Sequence, residues 1–309
     1  MKLSLIIPCY NEEEVLPASY KRFADVMQKN QYDYEMILVN DGSYDKTEEI
    51  LTNLALENNR VKVISFSRNF GHQCAVGAGI NHCSGDVAVI IDADLQDPPE
   101  VIPDMIRLYL EKKCNVVYAV RKKRKGESFF KRSTASLFYR TLEKLSDVEI
   151  PRDTGDFRLI DRAIMNVYNQ LSERNKFIRG LISWMGFKQV PFYYDREERF
   201  AGSTKYPLRK MLKLAADGIF GFSKKPVKIA TTLGVLSIFL AFMMILWVLC
   251  LNIFMPERLV PGWASTIIVV LFMGGVQLFT IGILGEYIGK IFDETKKRPE
   301  YIIREKINF

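Results

Sequence analysis

The sequence predicts an α/β domain built on a mainly parallel sheet, followed by an amphipathic segment and a hairpin of two membrane-spanning helices. Two observations carry this. Short, β-rich apolar runs alternate with helix-like stretches over the first two hundred residues, the pattern of right-handed crossovers and a sheet covered on both faces. Further on, two long stretches contain no charged residue, Ile229 to Phe254 and Leu259 to Gly285. Each exceeds the roughly 20 residues that cross a bilayer core.

The predicted strands are LSLIIP (3–8), YEMILVN (34–40), VKVISF (61–66), VAVII (87–91) and NVVYAV (115–120), with helices near 12–29, 45–58, 73–82 and 99–112. Ligands of such sheets bind at the carboxyl ends of the strands. After residue 120 the pattern loosens. RKKRKGESFFKR (121–132) reads as a basic loop leading into a helix at 133–146, and REERFAGSTKY (196–206) as a second basic loop. In the segment that follows, Leu208, Met211, Leu212, Ala215, Ile219 and Phe222 keep helical spacing, with Arg209, Lys210 and Lys213 off that stripe. This is either a helix lying on the membrane surface or an amphipathic helix packed on the domain.

The expected organisation is therefore a first domain at 1–205, an amphipathic juxtamembrane segment at 206–226, and a hairpin at 227–309. Its spans fall at about 229–254 and 262–285, with a cytoplasmic tail after them. Lys224, Lys225 and Lys228 precede the hairpin, and Lys290, Lys296, Lys297, Arg298, Arg304 and Lys306 follow it, whereas the link carries only Glu257 and Arg258. The positive-inside rule places both ends in the cytoplasm.

Composition narrows the partners. The 309 residues carry 43 Lys and Arg against 36 Asp and Glu, a net charge of +7, which suits nucleic acid, phosphorylated ligands or an anionic leaflet. The five cysteines form no C-x-x-C pair, and there are only two histidines, which argues against zinc and for a reducing compartment. The N-terminal MKLSLIIPCYNEEE does not read as a signal peptide, because its apolar run is short and meets NEEE at once.

The chemistry gathers at the strand ends. VAVII runs into IDADLQDPPE, which holds Asp92, Asp94 and Asp97. On an extended strand end, residues i and i+2 point the same way, so Asp92 and Asp94 can converge. Such carboxylates repel unless a cation lies between them, and Mg²⁺ or Mn²⁺ uses few carboxylates plus substrate phosphates. By itself the pair reads equally as a metal site or as a solvated acidic strand end. Asp97 is expected at a helix N-cap, with Pro98 at N1 and Glu100 at N3. The first two strands end in PCYNEEE and NDGSYDKT. Asp41 there is a poor place for an idle charge and could accept from a nucleobase N–H, while Asp45 and Thr47 are expected to cap the next helix.

IIPCYNEE, VNDGSYDKT and IDADLQDPPE, in this order and spacing, resemble the family 2 glycosyltransferases of GT-A fold, a Rossmann-like architecture. TGDFRLID (154–161), RFAGSTKYPLRKMLKL (199–214), FSKKPVKI (222–229) and ILGEYIGKIFDETKKRPEYI (283–302), with the hairpin, are similar to the polyprenyl-phosphate glycosyltransferases, a group that includes bactoprenol glucosyltransferases and, more distantly, dolichol-phosphate mannose synthases. The resemblance implies that Pro8, Tyr10, Glu12 and Asp41 hold the uridine of a UDP-sugar. It gives Asp92, Asp94 and Gln96 to the metal–diphosphate, with Asp94 as direct ligand of Mg²⁺ or Mn²⁺. It places Asp156 at acceptor activation, and Arg121, Arg132, Ser136, Arg199 and Lys205 around the phosphate of a polyprenyl acceptor. The implied partners are UDP-sugar, polyprenyl phosphate and the bilayer, not nucleic acid. A homo-oligomer and a downstream flippase complete the expectation.

A phosphate monoester is largely dianionic at neutral pH, so Asp156 is expected to orient groups rather than remove a proton. His72 reads as an exposed loop residue, with Arg68 and Asn69 as candidates to line the sugar pocket. The two competing functions are a processive polysaccharide synthase and a membrane-tethered nucleotide-sugar-binding protein. The first usually carries Q-x-x-R-W and more spans, and no Arg-Trp pair occurs here. The second leaves the intact acidic motifs unexplained.

Overall fold

The computed structural model describes residues 1–122, 151, 154–174, 176–196, 223–254 and 262–309. The helix expected at 133–146, the amphipathic stripe 208–222, and Arg132, Ser136, Arg199 and Lys205 lie outside the described residues.

The first half alternates as expected: β1 (Lys2–Cys9), α1 (Leu16–Lys29), β2 (Asp33–Asn40), α2 (Thr47–Glu57), β3 (Val61–Phe66), α3 (His72–His82), β4 (Val87–Ile90), α4 (Ile102–Lys112) and β5 (Val116–Arg121). Then come β6 (Thr154–Asp161), α5 (Arg162–Gln170), α6 (Ile178–Trp184) and β7 (Gln189–Tyr194). Two long helices follow, α7 (Lys225–Phe254) and α8 (Trp263–Thr295), and the chain ends in β8 (Ile303–Ile307).

The eight strands form one sheet in the order β7-β5-β6-β4-β1-β2-β3-β8. The pairs β1–β2, β1–β4, β2–β3 and β5–β7 are parallel, whereas β6 runs antiparallel between β4 and β5, and β8 antiparallel along β3. The central strands read as unbroken apolar runs because both faces are covered. Leu3, Leu5 and Ile7 pack with Leu16 and Phe23 of α1, Leu51 of α2 and Met105 of α4. Ile6 faces the other layer, with Ala75 and Val76 of α3, Ile164 of α5 and Leu181 of α6. Helix α3 lies so close to β1 that a Cβ on Gly79 would collide with the Ile6 side chain, which is why a glycine stands there.

One expectation is corrected. Asp97 caps no helix. A 3₁₀ turn, Pro99–Val101, precedes α4, and neither start has a side-chain cap. The tail after the hairpin carries β8, which pairs with β3 at the edge of the sheet. The hairpin is thus an insertion before the last strand, and 1–205 alone omits that strand.

Helices α7 and α8 contact each other. Their stretches apolar enough to cross a membrane are Lys225–Met244 and Phe272–Thr295, of which 11% and 0% is buried in the protein. Val235, Ile238, Phe239, Phe242, Trp247, Leu278 and Ile281 are all exposed. Apolar surface on that scale marks an interaction with lipid or protein.

At the opposite end of the sheet from the strand carboxyl termini, buried Glu35 ties three strands together. It accepts from Ser4 Oγ at 2.6 Å, from the Ser84 amide at 2.6 Å and from Lys62 Nζ at 2.9 Å. Burial works against its charge, but the hydrogen bonds from Ser4, Ser84 and Lys62 outweigh it and hold the carboxyl at about 2. The folded value lies below the ordinary 4.5, so the stabilisation is fully present above pH 4.5 and is lost as the pH falls toward 2. Glu35→Gln should therefore cost about 3 kcal/mol at pH 7 and flatten the acid limb between those values, read by chemical denaturation of the detergent-solubilised chain across pH.

Candidate active site

The loops after β1 and β2 are laced together at the carboxyl edge of the sheet. The Asn11 amide donates to Ser43 Oγ at 3.0 Å, the Tyr44 amide to Asn11 Oδ1 at 3.1 Å, and the Glu12 amide to Thr47 Oγ1 at 2.8 Å. Asp45 does take the Thr47 amide, at 3.0 Å, whereas the Thr47 hydroxyl serves Glu12 rather than its own helix. Pro8 is buried in β1. Tyr10 meets Tyr44 edge-to-face at 6.2 Å, and Tyr44 is 84% exposed, so an aromatic wall stands open to solvent beside Glu12.

Asp41 is buried, and its oxygens are engaged from within. Oδ1 accepts from the Phe70 amide at 2.7 Å, and Oδ2 from the Gly71 amide and Asn69 Nδ2, both at 3.0 Å. The carboxylate shapes the turn between β3 and α3. Burial raises its pKa, against the pull of those amides. Gly42, at φ 64°, lets the backbone of Arg68 and Asn69 approach in a way that a Cβ would block.

Strand β4 ends at Ile90, so the acidic motif lies in a turn. Burial nevertheless alternates through it: Ala93, Leu95 and Asp97 are inside, while Asp92, Asp94 and Gln96 are partly open. Leu95 reaches this arrangement through a left-handed φ of 57°, a strained choice for a bulky residue. The Gln96 amide donates to Asp94 Oδ1 at 3.1 Å. Asp97, 1% exposed, accepts a short hydrogen bond from the Tyr194 hydroxyl and faces Arg196 Nε at 3.3 Å. Its place is a joint between the acidic turn and the end of β7. Arg121, at the end of β5, lies against Gly155, where a Cβ would sit 2.9 Å from Nη2.

Beside the acidic turn, the antiparallel run of β6 brings in Asp156, 7% exposed. Its Oδ1 accepts from Arg179 Nε at 2.7 Å. Oδ2 accepts from Arg179 Nη2 at 3.0 Å and Gln73 Nε2 at 3.2 Å, and meets His72 Nε2 at 3.1 Å. Arg158, also buried, donates to the carbonyls of Gly155 and Asp156 from below. Burial opposes the charge of Asp156, but Arg179 and His72 overcome it and hold the carboxyl well below its ordinary range. His72 lies 3.7 Å from Asp92 Oδ1. Burial disfavours its cation, yet Asp92 and Asp156 raise it to about 9. The exposed loop histidine expected from the sequence is instead the first residue of α3, bridging two site carboxylates.

Asp92 tests the fit of a metal. Burial pushes its carboxyl up to about 6, with His72 opposing and Asp156, Asp97 and Asp94 adding to the rise. Its Oδ1 is buried without a hydrogen-bond partner among the described residues. His72 faces it at 3.7 Å without a hydrogen bond, so the ionised oxygen could still take a metal ion. Among the described residues no three His, Cys, Asp or Glu side chains form a closed metal cage. Mg²⁺ or Mn²⁺ takes one or two carboxylates and completes its shell with phosphate oxygens and water, and Asp92 and Asp94 are the carboxylates that would serve.

Sequence reasoning did not single out Gln73, Arg158, Arg179 or Tyr194. Arg158 stands inside TGDFRLID and the other three outside the quoted motifs; the crossing of β6 with α3 and α6 gathers Gln73, Arg158 and Arg179 around Asp156, while β7 brings Tyr194 to Asp97. Removing one partner of a buried pair leaves a bare charge and costs about 3–5 kcal/mol. Arg179→Met should lower stability by about 3 kcal/mol, since His72 still shares the charge. Asp156→Asn/Arg179→Met should recover much of that loss in denaturant titrations.

The chain matches "Glycosyl transferase family 2" over residues 4–168 and "GtrB C-terminal hairpin" over residues 225–291. The uncharacterized glycosyltransferase YkcC of Bacillus subtilis (strain 168) is 50% identical over 305 residues, covering 99% of this chain and 94% of that protein. The bactoprenol glucosyl transferase of Shigella phage SfV is 40% identical over 306 residues, covering 99% of each. Among solved structures, a mannosyltransferase from Pyrobaculum calidifontis in complex with GDP-Man and Mn²⁺ is similar over 93% of this chain and 86% of that one, with 13% identity and a TM-score of 0.46. A family match spanning β1 to α5, together with relatives 40% and 50% identical along the whole chain, places this protein in glycosyl transferase family 2 with the GT-A fold.

Proposed function

We propose that this protein transfers a single glucose from UDP-glucose to a polyprenyl phosphate at the cytoplasmic face of a membrane, with inversion at the anomeric carbon. The observation that carries this reading is the pairing of the Asp92–Asp94 turn with the cationic cluster around Asp156, on a domain whose last strand follows an apolar hairpin. Relatives named bactoprenol glucosyl transferase favour glucose and a polyprenyl acceptor. The return of β8 to β3 favours an even number of membrane crossings, because the chain must come back to the side it left.

Pro8, Tyr10, Glu12 and Asp41 would form the uridine end, with Tyr10 and Tyr44 as the open aromatic wall. Asp92 and Asp94 would hold a Mg²⁺ or Mn²⁺ ion, and Gln96 would sit beside the diphosphate. When bound, that ion offsets charge developing on the leaving diphosphate. The acceptor phosphate oxygen forms a bond to the anomeric carbon as the bond to the diphosphate oxygen breaks, so an α-linked donor gives a β-linked product. The nucleophile is already dianionic for the most part and needs no base. Asp156, held well below its usual pKa and engaged by Arg179 and Gln73, is suited to orienting its partners rather than to accepting a proton. Arg121, Arg132, Ser136, Arg199 and Lys205 would gather the acceptor phosphate, and guanidinium forks suit that task.

The test is incubation of membranes bearing the protein with labelled UDP-glucose and undecaprenyl phosphate. Label should pass into the organic phase, and EDTA or Asp94→Ala should reduce it at least ~10²-fold, as loss of a metal's electrostatic stabilisation requires. Aqueous polymer, or binding without transfer, would overturn the reading. Independently, Arg199→Ala should raise the acceptor KM about tenfold, the loss of roughly one charge-assisted contact, with the UDP-glucose KM within about twofold. Steady-state kinetics in both substrates checks this.

A further inference from the structure

The segment that leaves the second span is fastened to the active-site end of the domain. The charge-free stretch stops at Gly285, and α8 continues to Thr295. At 1.5 Å per residue this extension adds about 15 Å to the helix, and it lies within the stretch Phe272–Thr295 that is apolar enough to cross a membrane. At its foot, the Tyr287 hydroxyl donates to the Ser223 carbonyl at 2.6 Å, joining it to the start of α7. At its top, the Arg174 amide donates to Glu294 Oε1 at 2.8 Å.

Just beyond, Glu300 receives Lys176 Nζ at 2.9 Å, with side chains only 14% and 6% exposed. The same ammonium lies 4.7 Å from the centroid of the Tyr168 ring. Tyr301 stacks on Phe66 at 4.9 Å, and its hydroxyl accepts from Asn81 Nδ2 of α3 at 2.8 Å. Besides β3, through Phe66, residues 300 and 301 thus grip two elements of the site. One is α3, whose first residues His72 and Gln73 reach Asp156. The other is the turn into α6, where the Ile178 amide donates to Gln73 Oε1 at 3.0 Å and Arg179 holds Asp156. A buried ion pair adds little net stability over an apolar pair of similar volume. What this one can supply is register between the end of α8 and the site.

We infer that Glu300 and Lys176 are positioning residues whose ion pair sets the height and tilt of the Asp156 site above the bilayer. The inference rests on the lipid acceptor proposed above. A phosphate confined to the membrane plane meets the site only at one height, and a misplacement of about 1 Å can cost ~10²-fold. In a detergent micelle the same acceptor can rise and tilt, so the register matters less.

The test compares wild type, Glu300→Gln and Lys176→Met/Glu300→Leu, with undecaprenyl phosphate in phospholipid vesicles and in detergent micelles. The double variant removes the ion pair without leaving a bare buried charge, and so keeps the comparison available if Glu300→Gln fails to fold. In vesicles, kcat/KM for the acceptor should fall about tenfold or more. In micelles the loss should stay within about twofold, with the UDP-glucose KM unchanged in both. An equal loss in the two media means a merely structural role and overturns the inference, as does no loss in vesicles. Absence of transfer by the wild type in both media would instead sink the lipid-acceptor reading itself.

Discussion

One buried negative charge organises the carboxyl edge of this sheet. Asp156 is held in the low-dielectric interior by Arg179, Gln73 and His72, and each of these comes from a different element than its own strand. An ionised carboxylate survives burial only when paired and hydrogen-bonded. Its presence therefore constrains where β6, α3 and α6 can lie. Through His72, the same charge reaches Asp92 and the acidic turn. The acidic turn and the cationic cluster beside it are thereby one electrostatic unit.

That unit also explains why the acidic turn tolerates strain. Leu95 sits left-handed while Asp97, behind it, is pinned by Tyr194 and Arg196. Packing of Ala93 and Leu95 inside leaves Asp92 and Asp94 partly open. Charge and packing act in opposite directions on alternate residues, and the turn is the compromise between them.

The hairpin is bound into the catalytic domain rather than hung from it. Strand β8 closes the sheet along β3, Asn308 reaches back to the carbonyls of Ala55 and Val61, and Glu300 and Tyr301 seat on α3 and the turn before α6. A membrane-bound substrate can move only in two dimensions, so an enzyme that serves it gains from a fixed stance. A flexible tail would give none.

Local signals decided most of what the sequence alone determined. Unbroken apolar runs fixed β1 to β5, because strands buried on both faces need no polar alternation. Charge-free length fixed the two long helices, because a bilayer core excludes charge. The acidic motifs marked the strand ends where Asp92, Asp94 and Gln96 lie open. Tertiary structure decided what depends on partners distant in the chain. Asp97 reads as a helix cap beside Pro98 until Tyr194, ninety-seven residues away, claims it. His72 reads as a loop residue until β6 sets Asp156 against it, and the pairing of the tail with β3 left no mark in the local sequence. Burial, pairing and pKa belong to neighbours in space, and adjacency in sequence carries no record of them.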